Sequence, residues 1–425
     1  MKREYLTRIV DKELEIALES SGAVLIEGPK WCGKTRTAEE QASSILYLQD
    51  IGKRKPYLHM LETDPAVLLE GDTPRLIDEW QDAPILWDGV RFIVDQRGEW
   101  GQFILTGSST PKDDEDEDER PMHSGAGRFS KIMMRTMSLY ESLESNGTVS
   151  LSSIFNGNGV RGKSELTIDR LAFALCRGGW PVSIGKKDVA ALRQPKNYVK
   201  IVTDSDISRV DGVKKDPVRV GKLLHSIARN ISTEAKLSTL QKDVDGDTNT
   251  ASRPTLMSYM NALERIFMIE DLPAWSPSMR SKATLRNSPK RHFCDPSVAA
   301  CVLGASPKRL MDEFNTFGLL FESLCVRDLR VYAQPIDGKV FHYRDSDDLE
   351  VDAIIQLSDG RWGAAEIKLG ANEIEKGVEN LIKLKKKIDI DMMGEPSFMM
   401  ILTGTDEAYK RKDGILIVPI GCLKD

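Results

Sequence analysis

The chain has 425 residues, 40% hydrophobic and 29% charged, which is enough apolar material for packed cores in about two to four domains of roughly 100–200 residues each. Lys and Arg number 59 against 65 Asp and Glu, a net charge of −6, which excludes a strongly basic nucleic-acid binder but leaves room for a local basic surface. The six cysteines, Cys32, Cys176, Cys294, Cys301, Cys325 and Cys422, form no CxxC pair, and five histidines are few, so zinc ribbons, disulfide frameworks and His-based centres are disfavoured.

The first element, over residues 1–20, predicts an amphipathic helix, with Leu6, Ile9, Val10, Leu14 and Ile16 recurring among charges. It is too charged for a signal peptide, and no apolar run reaches the roughly 18–20 residues that cross a bilayer. A reduced, cytosolic protein without membrane contact is expected. An apolar strand at Ala23–Ile26 precedes a loop rich in Gly, with a helix from about Lys34. Strands are predicted at Ile45–Leu48, Leu76–Ile77 and Phe103–Leu105, with a helix over Pro84–Gln96. Such alternation implies a parallel sheet covered on both faces. The run PKDDEDEDER at 111–120 is almost pure acid and predicts a solvated, disordered insertion. Lys131–Leu139 reads as a further strand, and Leu166–Leu175 as a helix that ends at the breaker RGGWP, Arg177–Pro181.

Residues 186–284 read as a helical, winged-helix-like middle region. Three helical patterns, around Val218–Ala228, Leu237–Leu240 and Leu256–Ile266, precede a β-like stretch at Phe267–Leu272. That order serves DNA binding or protein packing. Without a reading helix rich in Arg and Lys, packing is the preferred reading. From 285 to 425 a separate α/β unit follows. A helix over Thr316–Tyr332 precedes strands at Val340–Tyr343, Val351–Gln356 and Trp362–Lys368, then a helix over Ile374–Ile388 and strands at Phe398–Leu402 and Ile415–Ile420.

The sharpest motif is GPKWCGKT, Gly28, Pro29, Lys30, Trp31, Cys32, Gly33, Lys34 and Thr35. It matches G-x-x-x-x-G-K-[ST] in the required setting between a strand and a helix. Loop amides and a helix N-terminus would wrap phosphates, Lys34 would reach the β- and γ-phosphates, and Thr35 would sit on Mg²⁺. Trp31 could stack on a base or pack outside the loop. Asp78, at the tip of a buried neighbouring strand, is placed to hold Mg²⁺ through water, and Glu79 to orient the attacking water. The strand ending Thr106-Gly107-Ser108 offers Thr106 or Ser108 as a γ-phosphate sensor, against the plain reading of a Gly-Ser turn. Arg128 follows a Gly hinge and reads either as a phosphate contact, in its own or a neighbouring subunit of a homo-oligomer, or as a surface arginine.

GPKWCGKT, LIDEWQDAP and QFILTGSS resemble a bacterial and archaeal AAA-type ATPase family whose members carry a C-terminal domain of unknown function with a nuclease-like end. The resemblance extends over nearly the whole chain, through RGGWP, FGLLFESLCVRDL and EVDAII. It implies an N-terminal P-loop NTPase domain over 1–185, with ATP on Gly28–Thr35 and Asp78 and Glu79 serving Mg²⁺ and water. The acidic run looks like an insertion relative to that family and unsettles the placement of Arg128.

A second constellation lies near the C-terminus. Asp352 precedes Glu366 and Lys368, with 366 − 352 = 14 residues between the two acids. Glu366 and Lys368 share a strand face, and a hairpin through Ser358–Arg361 would bring Asp352 to them. Two carboxylates can hold Mg²⁺ and a lysine beside them can activate water. The element order is similar to the restriction-endonuclease-like fold, in which Glu322 matches an additional acid. The plain alternative is ordinary Glu-Lys alternation on surface strands. Between Pro277 and His292 the charges are Arg280, Lys282, Arg286, Lys290 and Arg291, without an acid, which suits either DNA phosphates or a solvated linker. Two readings follow. One is an ATPase coupled to a domain that binds or cleaves DNA. The other is a nucleotide-controlled switch or interaction protein with an inactive nuclease-like domain. A nucleotide kinase lacks an evident acceptor lid.

Overall fold

The computed structural model describes residues 4–109, 125–210, 212–245, 253–277 and 288–425. The chain divides into two compact units. The first is Met1–Thr136 with Ser205–Lys214 and Met260–Met268; the second is Met137–Asp204, Lys215–Tyr259 and Ile269–Asp425. The units therefore do not divide at 185 or 284, and the middle region is not a compact unit of its own. The acidic run at 111–120 lies outside the described residues.

The first unit is a parallel sheet with strand order β2-β3-β4-β1-β5. Its strands are β1 (Ala23–Glu27), β2 (Ser44–Tyr47), β3 (Arg75–Asp78), β4 (Phe103–Gly107) and β5 (Phe129–Met133). The apolar runs are continuous because both faces are covered. Along β1 the side chains alternate. Val24 and Ile26 pack with Val10, Leu14 and Ala17 of helix α1 (Val10–Ser20). Ala23 and Leu25 share the opposite core with Leu86, Trp87, Val90 and Val94 of the helix Ile85–Arg97. Each fully buried Val, Leu or Ile side chain here contributes about 1.5–3 kcal/mol. Helix α1 starts later than the periodicity predicted. Asp11 explains this: its carboxylate accepts the Arg8 backbone N–H at 2.7 Å and the Tyr5 hydroxyl at 2.5 Å, satisfying donors ahead of the first turn. The strand expected over Lys131–Leu139 ends at Met133.

The second unit holds a mixed sheet with order β7-β12-β13-β11-β10-β9-β8. Leaving aside the short β6 (Val149–Ser150), its strands are β7 (Gly162–Lys163), β8 (Gly338–Arg344), β9 (Glu350–Leu357), β10 (Trp362–Lys368), β11 (Phe398–Thr403), β12 (Glu407–Lys410) and β13 (Leu416–Pro419). β8, β9 and β10 run antiparallel, and β10, β11 and β13 run parallel. On one face Val378, Leu381 and Leu384 of the helix Ile374–Lys387 pack with Val351, Ile354, Trp362, Ala364, Ile401 and Ile417. The helix Phe314–Ala333 packs against β8, β9 and β10.

The RGGWP segment has a structural explanation inside this unit. Gly178 adopts φ +75°, and a Cβ on Gly179 would lie 2.0 Å from the Met137 carbonyl oxygen. The Gly179 N–H donates to Asp295 at 2.9 Å and the buried Trp180 indole donates to Ser297 at 3.0 Å. In the middle region, helices Pro217–Arg229, Leu237–Asp245 and Arg253–Arg265 follow the predicted order. Isolated bridges then join Ile269 to Phe293 and Leu272 to Lys290 in antiparallel fashion, and Ile231 to Arg291 in parallel.

Candidate functional site

In the first unit the phosphate loop closes over its own backbone. Gly28 has φ +152°, and a Cβ there would stand 2.1 Å from the Met134 carbonyl oxygen, so only glycine lets the loop pass the end of β5. Gly33, at φ +112°, starts helix α2 (Lys34–Gln41) without a side-chain cap. That helix end presents its first amides and the positive end of its dipole to the loop's interior. The buried Lys34 ammonium donates to the Gly28 and Pro29 carbonyls, each at 2.9 Å. Arg8 braces the loop from outside, donating to the Cys32 carbonyl at 2.8 Å and the Arg135 carbonyl at 2.9 Å.

The loop side chains divide by direction. Cys32 is buried with its thiol toward the Met134 carbonyl at 3.4 Å. Lys30 ends on Asp206, 2.9 Å away. These two therefore offer a ligand their backbone, not their side chains. Trp31 is 43% exposed at φ +67°.

Five hydroxyl and carboxylate side chains meet beside the loop. The Thr35 and Thr106 hydroxyls each donate to Asp78 Oδ1 at 2.7 Å. The Glu79 N–H donates to Thr106 Oγ1 at 3.1 Å. The Ser108 hydroxyl donates to Glu79 Oε2 at 2.8 Å, and the Gln81 amide also donates to that oxygen. Sheet order corrects one expectation: β3 is not next to β1, because β4 lies between them. Thr106 of β4 thus ties Asp78 to the Glu79 backbone, while Thr35 links the loop to Asp78 directly. Burial raises the Asp78 pKa, against the opposing effect of the Thr106 and Thr35 hydroxyls. A desolvated carboxylate 2.7 Å from a threonine hydroxyl suits a small hard dication, which takes oxygen ligands from one or two carboxylates plus phosphates. The residues present fit Mg²⁺ with a nucleotide.

Arg128 is a correction. It precedes β5, whose Phe129 pairs with Ala23 at the start of β1, whereas the phosphate loop follows the other end, where Glu27 pairs with Met133. Five residues of strand, roughly 16 Å, separate the two ends. The Arg128 guanidinium is 43% exposed and bonded to Asp95 at 2.7 Å, so it is outside its own chain's phosphate site.

In the second unit the hairpin forms with Ala365 opposite Ala353, and the predicted groups converge. The Lys368 ammonium lies 2.9 Å from Asp352 and 2.5 Å from Glu366. Asp352 also accepts the Ile367 N–H at 2.8 Å, and Asn380 donates to Glu366 at 3.2 Å. The basic stretch contributes an unpredicted member. Lys290, 1% exposed, stands 2.8 Å from Glu322, 2.7 Å from Glu350 and 3.6 Å from Asp352.

The electrostatics follow from these partners. Burial raises the Asp352 carboxyl, but Lys290 and Lys368 outweigh it and bring it to about 2. Burial, followed by the charge of Asp352, pushes Glu366 up to about 8. Burial works against the charge of Lys368, but Asp352 and Glu366 reverse that and raise its pKa. The Lys368 ammonium is held between Asp352 and Glu366. One expectation is corrected. Lys290 and Arg291 are not free for DNA phosphates, since Arg291 is buried against Asp271; Arg280, Lys282 and Arg286 lie outside the described residues. Asp352 and Glu366 do not fit a divalent metal here, because ammonium groups fill their inner side. Among the described residues no group of three His, Cys, Asp or Glu side chains is placed to hold a metal ion.

Sequence reasoning missed Lys290, Glu350, Asn380 and Gln81. Gln81 and Glu350 carried a local signal, each two residues from a predicted acid, Glu79 and Asp352. No described helix is long and apolar enough to cross a membrane.

Residues 20–143 match an AAA domain family, residues 168–309 a domain of unknown function (DUF8612), and residues 317–423 another domain of unknown function (DUF4143). Uncharacterized proteins of Mycobacterium bovis and Mycobacterium tuberculosis are each 24% identical over 362 residues, covering 84% of this chain and 72% of theirs. Among solved structures, a Walker-type ATPase of Pyrococcus abyssi is similar at 15% identity and TM-score 0.42, over 69% of this chain and 94% of that one. The replication initiator DnaA bound to AMPPCP and single-stranded DNA is similar at 13% identity and TM-score 0.28, over 60% and 86%. The AAA match and the loop geometry together make the region over residues 20–143 an AAA-type P-loop domain.

Proposed function

We propose that the first unit binds Mg²⁺-ATP and hydrolyses it, and that the second unit, with a restriction-endonuclease-like element order, serves as a binding module under nucleotide control. The observation that carries the first half is the Thr35–Asp78–Thr106 network at 2.7 Å beside an uncapped helix start. The loop amides and Lys34 bind the phosphates and exchange the Gly28 and Pro29 carbonyls for phosphate oxygens. Mg²⁺, when bound, would supply charge neutralisation for the phosphates; Thr35 and Asp78 are the residues that would hold it. Glu79 orients the attacking water and takes up its proton, steadied by Ser108 and Gln81. Thr106 joins Asp78 to the Glu79 backbone and registers the γ-phosphate.

Phosphate release tests this half. The wild type should turn over ATP only with Mg²⁺, and Glu79→Gln should keep binding while losing at least about 100-fold in turnover. Turnover unchanged by Glu79→Gln would remove Glu79 from the chemistry. A nuclease reading of the second unit is favoured by the convergence of Asp352, Glu366 and Lys368. The filled interior of that cluster argues for binding without cleavage, with DNA the first partner to test. Plasmid DNA incubated with Mg²⁺ or Mn²⁺ should stay supercoiled, and nicking abolished by Asp352→Ala would restore the nuclease reading.

A further inference from the structure

We infer that Lys290 is the resident cation of the C-terminal acidic cluster. Its ammonium stands among Glu322, Glu350 and Asp352, whose carboxylates as they stand are not placed to hold a metal ion. This deepens the reading of the second unit as a binding module.

Four carboxylates reach this place from three elements: Glu322 from the helix Phe314–Ala333, Glu350 and Asp352 from β9, and Glu366 from β10. Left alone, they would repel one another in a desolvated setting. Two ammonium groups answer them in a chain: Lys290 contacts Glu322, Glu350 and Asp352, and Lys368 contacts Asp352 and Glu366. Asp352 lies between the two lysines and gives one oxygen to each. A metal ion on Asp352 would have to displace an ammonium from one of those oxygens.

The position of Lys290 is fixed by its backbone. Its N–H donates to the Leu272 carbonyl at 3.0 Å, and its own carbonyl accepts the Leu272 N–H at 2.9 Å. Next to it, Arg291 donates its N–H to the Thr233 carbonyl at 3.0 Å and ion-pairs with Asp271. The ammonium is delivered on a backbone segment held by isolated bridges, not on a free side chain at the surface. Expelling it to admit a metal means breaking this pairing or burying an unpaired ammonium, and each opposes metal entry.

The test is Mn²⁺ binding to the full chain in nucleotide-free buffer, followed by electron paramagnetic resonance of free Mn²⁺ and by thermal shift. Leaving out nucleotide separates a failure here from a failure of the ATPase reading. The wild type should show no Mn²⁺ binding that depends on Asp352, as judged against Asp352→Asn. Lys290→Met, which keeps the length of the stem and removes the charge, should gain a Mn²⁺ site at least about tenfold tighter than any in the wild type, because no ammonium then competes at contact distance. Adding Asp352→Asn should abolish that gain. If Lys290→Met does not fold, Lys290→Gln, which keeps a donor for Glu322, replaces it. Asp352-dependent Mn²⁺ binding by the wild type, or no gain in the folded variant, overturns the inference.

Discussion

Glu366 gives the most quantitative consequence of the buried cluster. It is 1% exposed, with a Lys368 ammonium 2.5 Å from one oxygen and the Asn380 amide 3.2 Å from the other. Burial and the charge of Asp352 raise its pKa from an ordinary 4.5 to about 8. The folded protein therefore binds a proton that the unfolded chain releases above pH 4.5. Its contribution to stability is full below that pH, declines as pH rises, and is lost through about pH 8. At about 1.4 kcal/mol per unit the ceiling is roughly 5 kcal/mol. Asp352 shares the titration, so a single substitution should expose about 2 kcal/mol of it. Glu366→Gln imitates the protonated form and removes this dependence. Urea unfolding of both proteins at intervals from about pH 5 to 8.5 should show the variant gaining on the wild type as pH rises. Parallel pH dependences for the two proteins would refute the buried, proton-holding Glu366.

Three further predictions concern other parts of the chain. Gly179→Ala places a Cβ 2.0 Å from the Met137 carbonyl oxygen, and should cost roughly 3 kcal/mol or more, read as a lower thermal midpoint and reduced soluble yield. Arg327 is 5% exposed and bridges Asp295 at 2.9 Å and Asp328 at 2.6 Å. Arg327→Met removes the counter-charge of both acids and should cost about 3–5 kcal/mol in urea unfolding, whereas a loss below about 1 kcal/mol would mean that water reaches them. Arg128→Ala should leave nucleotide affinity within about threefold of the wild type in equilibrium titrations, because Arg128 lies at the strand end away from the loop. If Arg128 serves a second copy, specific ATPase activity should rise with protein concentration and the variant should lose that rise; a flat profile on dilution removes the role.

Much of the fold was legible because its signals are local. The short apolar strands of the first unit and the helix after Lys34 follow from hydrophobic runs and from one motif whose glycines must take positive φ. The convergence of Asp352 with Glu366 and Lys368 was readable because a hairpin fixes pairing at short range. What stayed hidden depends on long-range order. That β4 lies between β1 and β3 is a fact of sheet topology, so the bridging role of Thr106 emerges only once the strands are placed. The readings of Arg128 stayed open for the same reason: adjacency to a strand does not say which end of the sheet it occupies. Lys290 was read as part of a solvated or DNA-facing stretch because its partners Glu322, Glu350 and Asp352 are remote in sequence. A basic residue surrounded by bases in sequence can still be buried among acids in space.

The central claim is that the turn after β1 is a phosphate cradle completed by one ammonium. Isothermal titration of the full chain with ATP and Mg²⁺ tests it directly. The wild type should give a saturable isotherm near one nucleotide per chain, and Lys34→Met should weaken it by about 100-fold, as expected for losing a charge-assisted contact worth roughly 1.5–3 kcal/mol. A wild-type protein that releases no heat and shows no saturation with ATP, with or without Mg²⁺, would contradict the account.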